Sequence, residues 1–203
     1  MNRSVVLTSQ NVFDKDKLVK ILESHKVNHN LWGRNGWRSL DDLIRYMTHD
    51  QVTLSDGDPE EKLTLNVYAA VVLVLFSDKS GDYELFEEQQ INERDGRRVV
   101  RNFRGIAETM RQTETVEQSA RRCLSEELGF ANPTKYELSE LLRIHCLGPV
   151  ESEKWAGLRA IYHRHIFLCK IGPELHRKDG YTEVDNGWKI YFKWRPRESE
   201  SLI

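Results

Sequence analysis

Apolar and polar positions follow two rhythms along this chain, and the change between them falls near residue 60. Before it, Leu18, Ile21 and Leu22 recur at helical spacing, and Leu40, Leu43, Ile44 and Met47 repeat the pattern behind Ser39 and Asp42, so two amphipathic helices are predicted. A glycine-rich aromatic turn, Leu31-Trp32-Gly33-Arg34-Asn35-Gly36-Trp37, separates them. Ser55 to Lys62 is polar, contains Gly and Pro, and reads as a connector. Beyond it the pattern is strand-rich. Leu63 to Phe76 is apolar on both alternating sets and predicts a central strand buried on both faces. Tyr83 to Glu87 and Arg98 to Phe103 read as a hairpin around the polar Asn92 to Gly96 segment, followed by a loop from Arg104 to Thr113. Further strands are expected around Tyr136 to Leu147 and Arg159 to Ile171, and Lys189 to Trp194 is a candidate closing strand. Strands interrupted by one helix, without regular βαβ alternation, place the chain in the α/β (α+β) class.

That helix carries the chemistry. In Glu114 to Phe130, ETVEQSARRCLSEELGF, Thr115 and Gln118 form a capping-box pair, the interior favours helix, and Gly129 suits the left-handed position after the last turn, which predicts a helix over Val116 to Leu128. Residues four apart share a face, so Cys123 and Glu127 stack together, Glu126 lies on the next stripe, and Val116, Ala120 and Leu124 are available to pack inward. Adjacent carboxylates repel, and a helix gains nothing by clustering them unless solvent or a cation relieves the repulsion. A solvated acidic face is one reading. The other is a site for magnesium, which takes hard oxygen ligands and leaves much of its octahedron to water and substrate phosphate.

Written as a pattern, the stretch is a Glu, seven residues, Arg, a variant position, an aliphatic, any residue, Glu-Glu, any residue, Gly, and an apolar residue. It resembles the second two-thirds of the box of the Nudix hydrolase superfamily. Two positions depart from that box: Glu108 stands where it has Gly, and Cys123 stands where it has the Glu of an Arg-Glu pair. The resemblance covers roughly residues 63 to 195 and implies a Nudix-like α/β/α sandwich with a mixed sheet, residues 63–203, preceded by a helical extension, residues 1–62. It implies that water attacks phosphorus to break a nucleoside diphosphate linked to some group X, with Mg2+ or Mn2+ held against the diphosphate. Carried over by position, Glu127 is a direct metal ligand, Glu126 a direct or water-mediated one, Arg122 an orienting partner for Glu114, and the Ala107 carbonyl faces the metal. Cysteine is a poor ligand for a hard ion and packs as a small hydrophobe instead. Glu108, just before the helix, is placed to restore the missing carboxylate, or its side chain points to solvent. Glu151 and Glu153, in a predicted loop between strands, lie in the region from which the family draws an extra metal-binding carboxylate; a polar surface loop is the plainer reading.

Other constellations are weaker. The arginine-rich segment from Arg94 to Arg104 offers Arg97, Arg98 and Arg104 as bidentate partners for a ligand's phosphates or an RNA backbone, or forms a solvated hairpin edge. His145, Cys146, His163 and His165 lack the tight pairing of a structural zinc site, so satisfied strand histidines are expected, with Cys146 and Cys169 in the core.

Composition narrows the function classes. The formal net charge is −2 with 31% charged residues, so no overall field recruits nucleic acid or anionic membrane. Three cysteines without a CxxC pair suit a reducing, cytoplasmic setting, and Val67 to Phe76, the longest apolar run, is too short to span a bilayer. Two functions stay open: a divalent-metal hydrolase of a small nucleotide-like diphosphate, or an eroded module of the same fold that binds nucleotide or RNA as sensor or subunit. Loss of the Glu at Cys123 favours the second; retention of Glu114, Arg122, Glu126 and Glu127 favours the first. The N-terminal helices suit docking or homodimer formation, with Trp32, Trp37, Leu40, Leu43 and Met47 as docking residues, because so short a segment offers too little apolar surface to fold alone.

Overall fold

Strand β3 (Thr64–Asp78) realises the expected two-sided burial. Ala70, Val72, Val74 and Phe76 enter one apolar cluster, while the intervening Val71 and Leu73 enter another with Ile166. Alternation alone produces this, since successive side chains of a strand point to opposite faces. The computed structural model describes residues 5–7, 14–34, 37–49, 52–56, 62–111, 113–185 and 187–198. Among them the fold is of mixed α/β class, with a large sheet and few helices. No described helix is long and apolar enough to cross a membrane.

The chain forms two compact units. The first comprises Met1–Ala69, Thr109–Thr115 and Ile144–Arg164. Helix α1 (Lys15–Ser24) is capped by Asp14, whose carboxylate accepts from the Asp16 N–H, and α2 (Leu40–Thr48) begins in a reciprocal box in which Ser39 and Asp42 bond each other's backbone N–H at 3.0 Å. Strand β1 (Val5–Leu7) pairs antiparallel with β2 (Val52–Asp56), which pairs antiparallel with the start of β3. Ser55 and Asp56, expected in the connector, therefore lie in a strand; residues 57–61 fall outside the described residues. Leu18 and Leu22 of α1, Leu43 and Met47 of α2, and Leu54 and Leu65 share one core with Trp32 and Trp155. Both indoles are satisfied: Trp32 donates to the Ala156 carbonyl at 3.0 Å and Trp155 to the Ser39 carbonyl at 3.1 Å. Of the expected docking residues, Trp32, Leu43 and Met47 are buried in this core and Leu40 packs against it. The unit cuts across the expected boundary at residue 62, because the helices share their core with Leu63, Leu65 and the segment around Trp155.

The second unit comprises Ala70–Glu108, Val116–Arg143 and His165–Ile203. Strand β4 (Gly81–Asn92) meets β3 along its first residues and β5 (Arg98–Arg104) along the rest; β10 (Trp188–Pro196) covers its other edge and pairs in turn with β9 (Tyr181–Asp185). β6 (Ile106–Thr109) pairs with β3, and β7 (Tyr136–Glu151) with β8 (Arg159–Ile171). Part of the expected Arg104 to Thr113 loop is thus strand. Helix α3 (Val116–Leu128) buries Ala120, Cys123, Leu124 and Leu128 in a core with Leu85, Phe167, Cys169 and Phe192.

Gly105 sits between β5 and β6 at φ +75°, and a Cβ there would lie 2.2 Å from the Val72 carbonyl oxygen. That neighbour is backbone and cannot yield. Gly105→Ala is expected to cost at least roughly 2 kcal/mol, from the left-handed conformation plus the clash. A denaturant midpoint equal to that of the wild type would contradict this.

Candidate active site

Helix α3 spans the expected residues, and its end shows why. The Gly129 N–H donates to the Ser125 carbonyl and the Phe130 N–H to the Leu124 carbonyl, both at 3.1 Å, with Gly129 at φ +76°. Only a residue without Cβ turns there without strain, so the helix stops where the acidic pair ends. Placing Ala120, Cys123 and Leu124 in the core fixes the rotation of the helix, and that rotation decides what each carboxylate meets.

Glu127 is turned inward. Its carboxyl is pushed up to about 10, first by burial, then by a hydrogen bond shared with Glu183 and by the negative charges of Glu183, Glu108 and Glu87. Glu183, on β9, is also raised, chiefly by burial. Carboxyl groups that bond each other must share a proton, so the pair carries less charge than two free glutamates. Glu183 Oε2 is buried without a hydrogen-bond partner, an acceptor left unsatisfied. Glu87, on β4, is buried with its carboxyl also raised by burial; Arg101 approaches at 3.4 Å and Gln90 donates at 2.7 Å. Arg122 holds the outer carboxylates, at 2.9 Å from Glu126 and 3.7 Å from Glu108. The Glu126 side chain is 46% exposed, so the two adjacent glutamates differ in kind: one faces solvent, the other the cluster.

Cys123 is fully buried, and its thiol is raised well above the ordinary range by burial and by the charges of Glu127 and Glu108. It is a protonated core residue beside the carboxylates. Glu108, on β6, contributes to the raised thiol of Cys123 and the raised carboxyls of Glu127 and Glu183, so its charge bears on this cluster. Ala107 precedes it on the same strand.

Of the expected site residues, Arg122, Glu126, Glu127 and Glu108 share the second unit, while Glu114, Glu151 and Glu153 belong to the first. Glu114 accepts from the Arg111 N–H at 3.2 Å, and Glu151, at the end of β7, pairs with Lys62 at 2.6 Å. Arg104 is bound to the buried Glu84 at 2.7 Å, which also holds Arg195 at 2.8 Å, and Arg97 lies over the Trp188 ring at 4.9 Å. These arginines serve the sheet in the first place. Cys146, expected in the core, is exposed, whereas Cys169 is buried as expected. Among the described residues no group of three or more His, Cys, Asp or Glu side chains is arranged to hold a metal ion.

Glu183 and Glu87 escaped the sequence reading. For Glu183 there was a cue: an Asn-Gly dipeptide such as Asn186-Gly187 is a strong hairpin signal in a sequence, and reading it as one would have placed a strand before the predicted closing strand.

The raised carboxyls set the sign of the pH dependence of stability. A group protonated in the fold at about 10 and near 4.5 when unfolded contributes fully below 4.5, and that contribution is lost as pH rises toward 10. The metal-free protein is expected to melt at a lower temperature at pH 9 than at pH 5.5. A melting temperature that rises over this interval would refute the shared proton.

No family model matches the chain, and no curated protein does. Among solved structures it is similar to the Escherichia coli dihydroneopterin triphosphate pyrophosphohydrolase (15% identity, 63% of this chain and 78% of that one, TM-score 0.42). It is also similar to the NUDIX domain of Shewanella oneidensis NrtR complexed with ADP ribose (12% identity, 64% and 73%, TM-score 0.40). A third is a MutT/nudix family protein from Enterococcus faecalis (18% identity, 82% and 53%, TM-score 0.41). Values this low say nothing about substrate, which has to be argued from the chain's own side chains.

Proposed function

We propose that the protein is a divergent Nudix-type hydrolase that cleaves the diphosphate linkage of a small nucleotide-like molecule with Mg2+ or Mn2+. The observation that carries this reading is the inward Glu127, on the helix whose spacing resembles the box, set against Glu183 of β9 with both carboxyls raised. A structural helix gains nothing by setting its half-buried carboxyl against a second one, whereas a cation would ionise both and give the buried Glu183 Oε2 a partner. The donor set fits in kind, all hard oxygens. With no group of three described donors arranged for an ion, Glu127 and Glu183 are the proposed protein ligands, and water and substrate phosphate would complete the shell.

Within that reading the residues have separable tasks. Glu127 and Glu183 hold the ion. Arg122 restrains Glu126 and Glu108, keeping a solvent-facing carboxylate at 2.9 Å from its guanidinium, where it can orient water. A bound divalent ion supplies charge against the phosphoryl oxygens and acidifies water. Burial of Cys123 favours a second reading, a module that binds nucleotide or RNA without cutting it, since the box position that supplies a carboxylate here supplies a neutral thiol.

Calorimetry with Mn2+, followed by phosphate release from a panel of nucleoside diphosphate derivatives, separates the two. Metal binding with turnover supports the hydrolase, ligand binding without turnover supports the module, and absence of both removes the site.

A further inference from the structure

We infer a second chemical site, a nucleophilic thiol relay formed by Cys146, His163 and Asn66, that accepts an acyl group from an activated ester or thioester. The three residues lie on neighbouring strands of the first unit. Cys146 Sγ is 3.4 Å from His163 Nδ1, and His163 Nε2 is 3.3 Å from Asn66 Oδ1. The far end of the chain of contacts orients the rest. Asn66 donates its amide N–H to Ser55 Oγ at 2.9 Å, which turns its carbonyl oxygen toward the imidazole. An oxygen that can only accept requires a proton on Nε2, and Nδ1 then keeps the lone pair facing the thiol. Tyr68 stacks on the His163 ring, centroids 4.5 Å apart and planes 14° apart, and so fixes its tilt. Partial burial lowers the imidazole's affinity for a proton and keeps it neutral, the state a general base needs.

A thiol held against a base whose other nitrogen is oriented by an amide has the parts of an activated nucleophile. In the step proposed, Sγ attacks the acyl carbonyl while Nδ1 takes the thiol proton. The adduct collapses with cleavage of the carbonyl C–O or C–S bond, and the departing alcohol or thiol takes that proton back. The acyl group remains on Sγ as a thioester, with no oxidant or metal consumed. Cys146 is exposed, and so are Ile144 (53%), two residues away on β7, and Tyr68 (41%), two residues from Asn66 on β3. Apolar side chains on the same strands as the relay suit an acyl group with an apolar tail.

The chain contains its own controls, since Cys123 and Cys169 are buried. The folded full-length protein would be treated with p-nitrophenyl butyrate and, separately, with a hexanoyl thioester of N-acetylcysteamine, then analysed by intact mass and peptide mapping. The expected result is one acyl adduct on Cys146, none on the buried cysteines, and an acylation rate roughly 100-fold lower in His163→Gln, as befits loss of a general base. Asn66→Ala should show an intermediate loss. Should His163→Gln unfold, wild-type Cys146 can be compared directly with free glutathione at pH 7, where the relay requires the protein thiol to react at least ten times faster. No adduct, equal rates for protein and glutathione, or a folded His163→Gln with the wild-type rate would each overturn the proposal.

Discussion

Glu127→Gln is expected to lower diphosphate hydrolysis roughly 100- to 1,000-fold while raising the melting temperature of the metal-free protein at pH 9. The two effects have opposite signs because one carboxyl does both. Folded, the Glu127 carboxyl is held up near 10 by burial and by Glu183, Glu108 and Glu87, so at alkaline pH the unfolded chain gains by ionising and the folded one does not. Glutamine keeps the size and a donor for Glu183, and removes that pull. It also removes a charge from the proposed metal site, so Mn2+ binding by calorimetry should weaken in the same variant. A side chain that only supports the fold would give the reverse pattern, lower stability with activity falling in proportion to the unfolded fraction. Wild-type metal affinity and rate in Glu127→Gln would take Glu127 out of the chemistry.

What could be read from the sequence follows from how local each feature is. Helix α3 was legible to its last residue because its end depends on Gly129, and the two-sided burial of β3 was legible because alternation is a property of consecutive residues. Partners across the sheet were not. Arg104, a candidate phosphate ligand, pairs with Glu84 of the neighbouring strand β4, and nothing in the arginine-rich segment announces that acceptor. Cys146 sits in an apolar-looking run, yet β7 leaves Ile144, Cys146 and Leu147 exposed, and periodicity cannot say whether a strand face is covered. Glu183 lies on a strand of five residues whose alternation is mostly polar, too short and too hydrophilic to stand out without its turn. The box helix could therefore be placed from sequence, whereas the carboxylate that shares its proton could not.

Burial also changes what restoring the box position should do. Spacing alone predicts that Cys123→Glu raises hydrolysis by returning a hard ligand. The side chain at 123 is fully buried, however, and Glu127 and Glu108 already bear negatively on it. Without a cation, Cys123→Glu adds a further carboxylate to a cluster that already shares protons, and an unpaired buried charge costs about 3–5 kcal/mol. For a chain of 203 residues that corresponds to a fall in melting temperature of roughly 6–20 °C. A bound divalent ion reverses the balance, because the new carboxylate becomes a partner for it and binding to the folded state alone stabilises by mass action. The expected outcome is thus conditional: Cys123→Glu melts well below wild type in chelator, recovers most of the difference in millimolar Mn2+, and then hydrolyses faster than wild type. The measurements are paired melting curves with and without metal, and phosphate release at saturating Mn2+. Recovery of stability without a gain in rate would mean that the ion is held but not used, which is the behaviour of a binding module. No recovery at all would mean that position 123 does not face an ion, and the carboxylates around it would then have to be explained as a pH-sensitive part of the core.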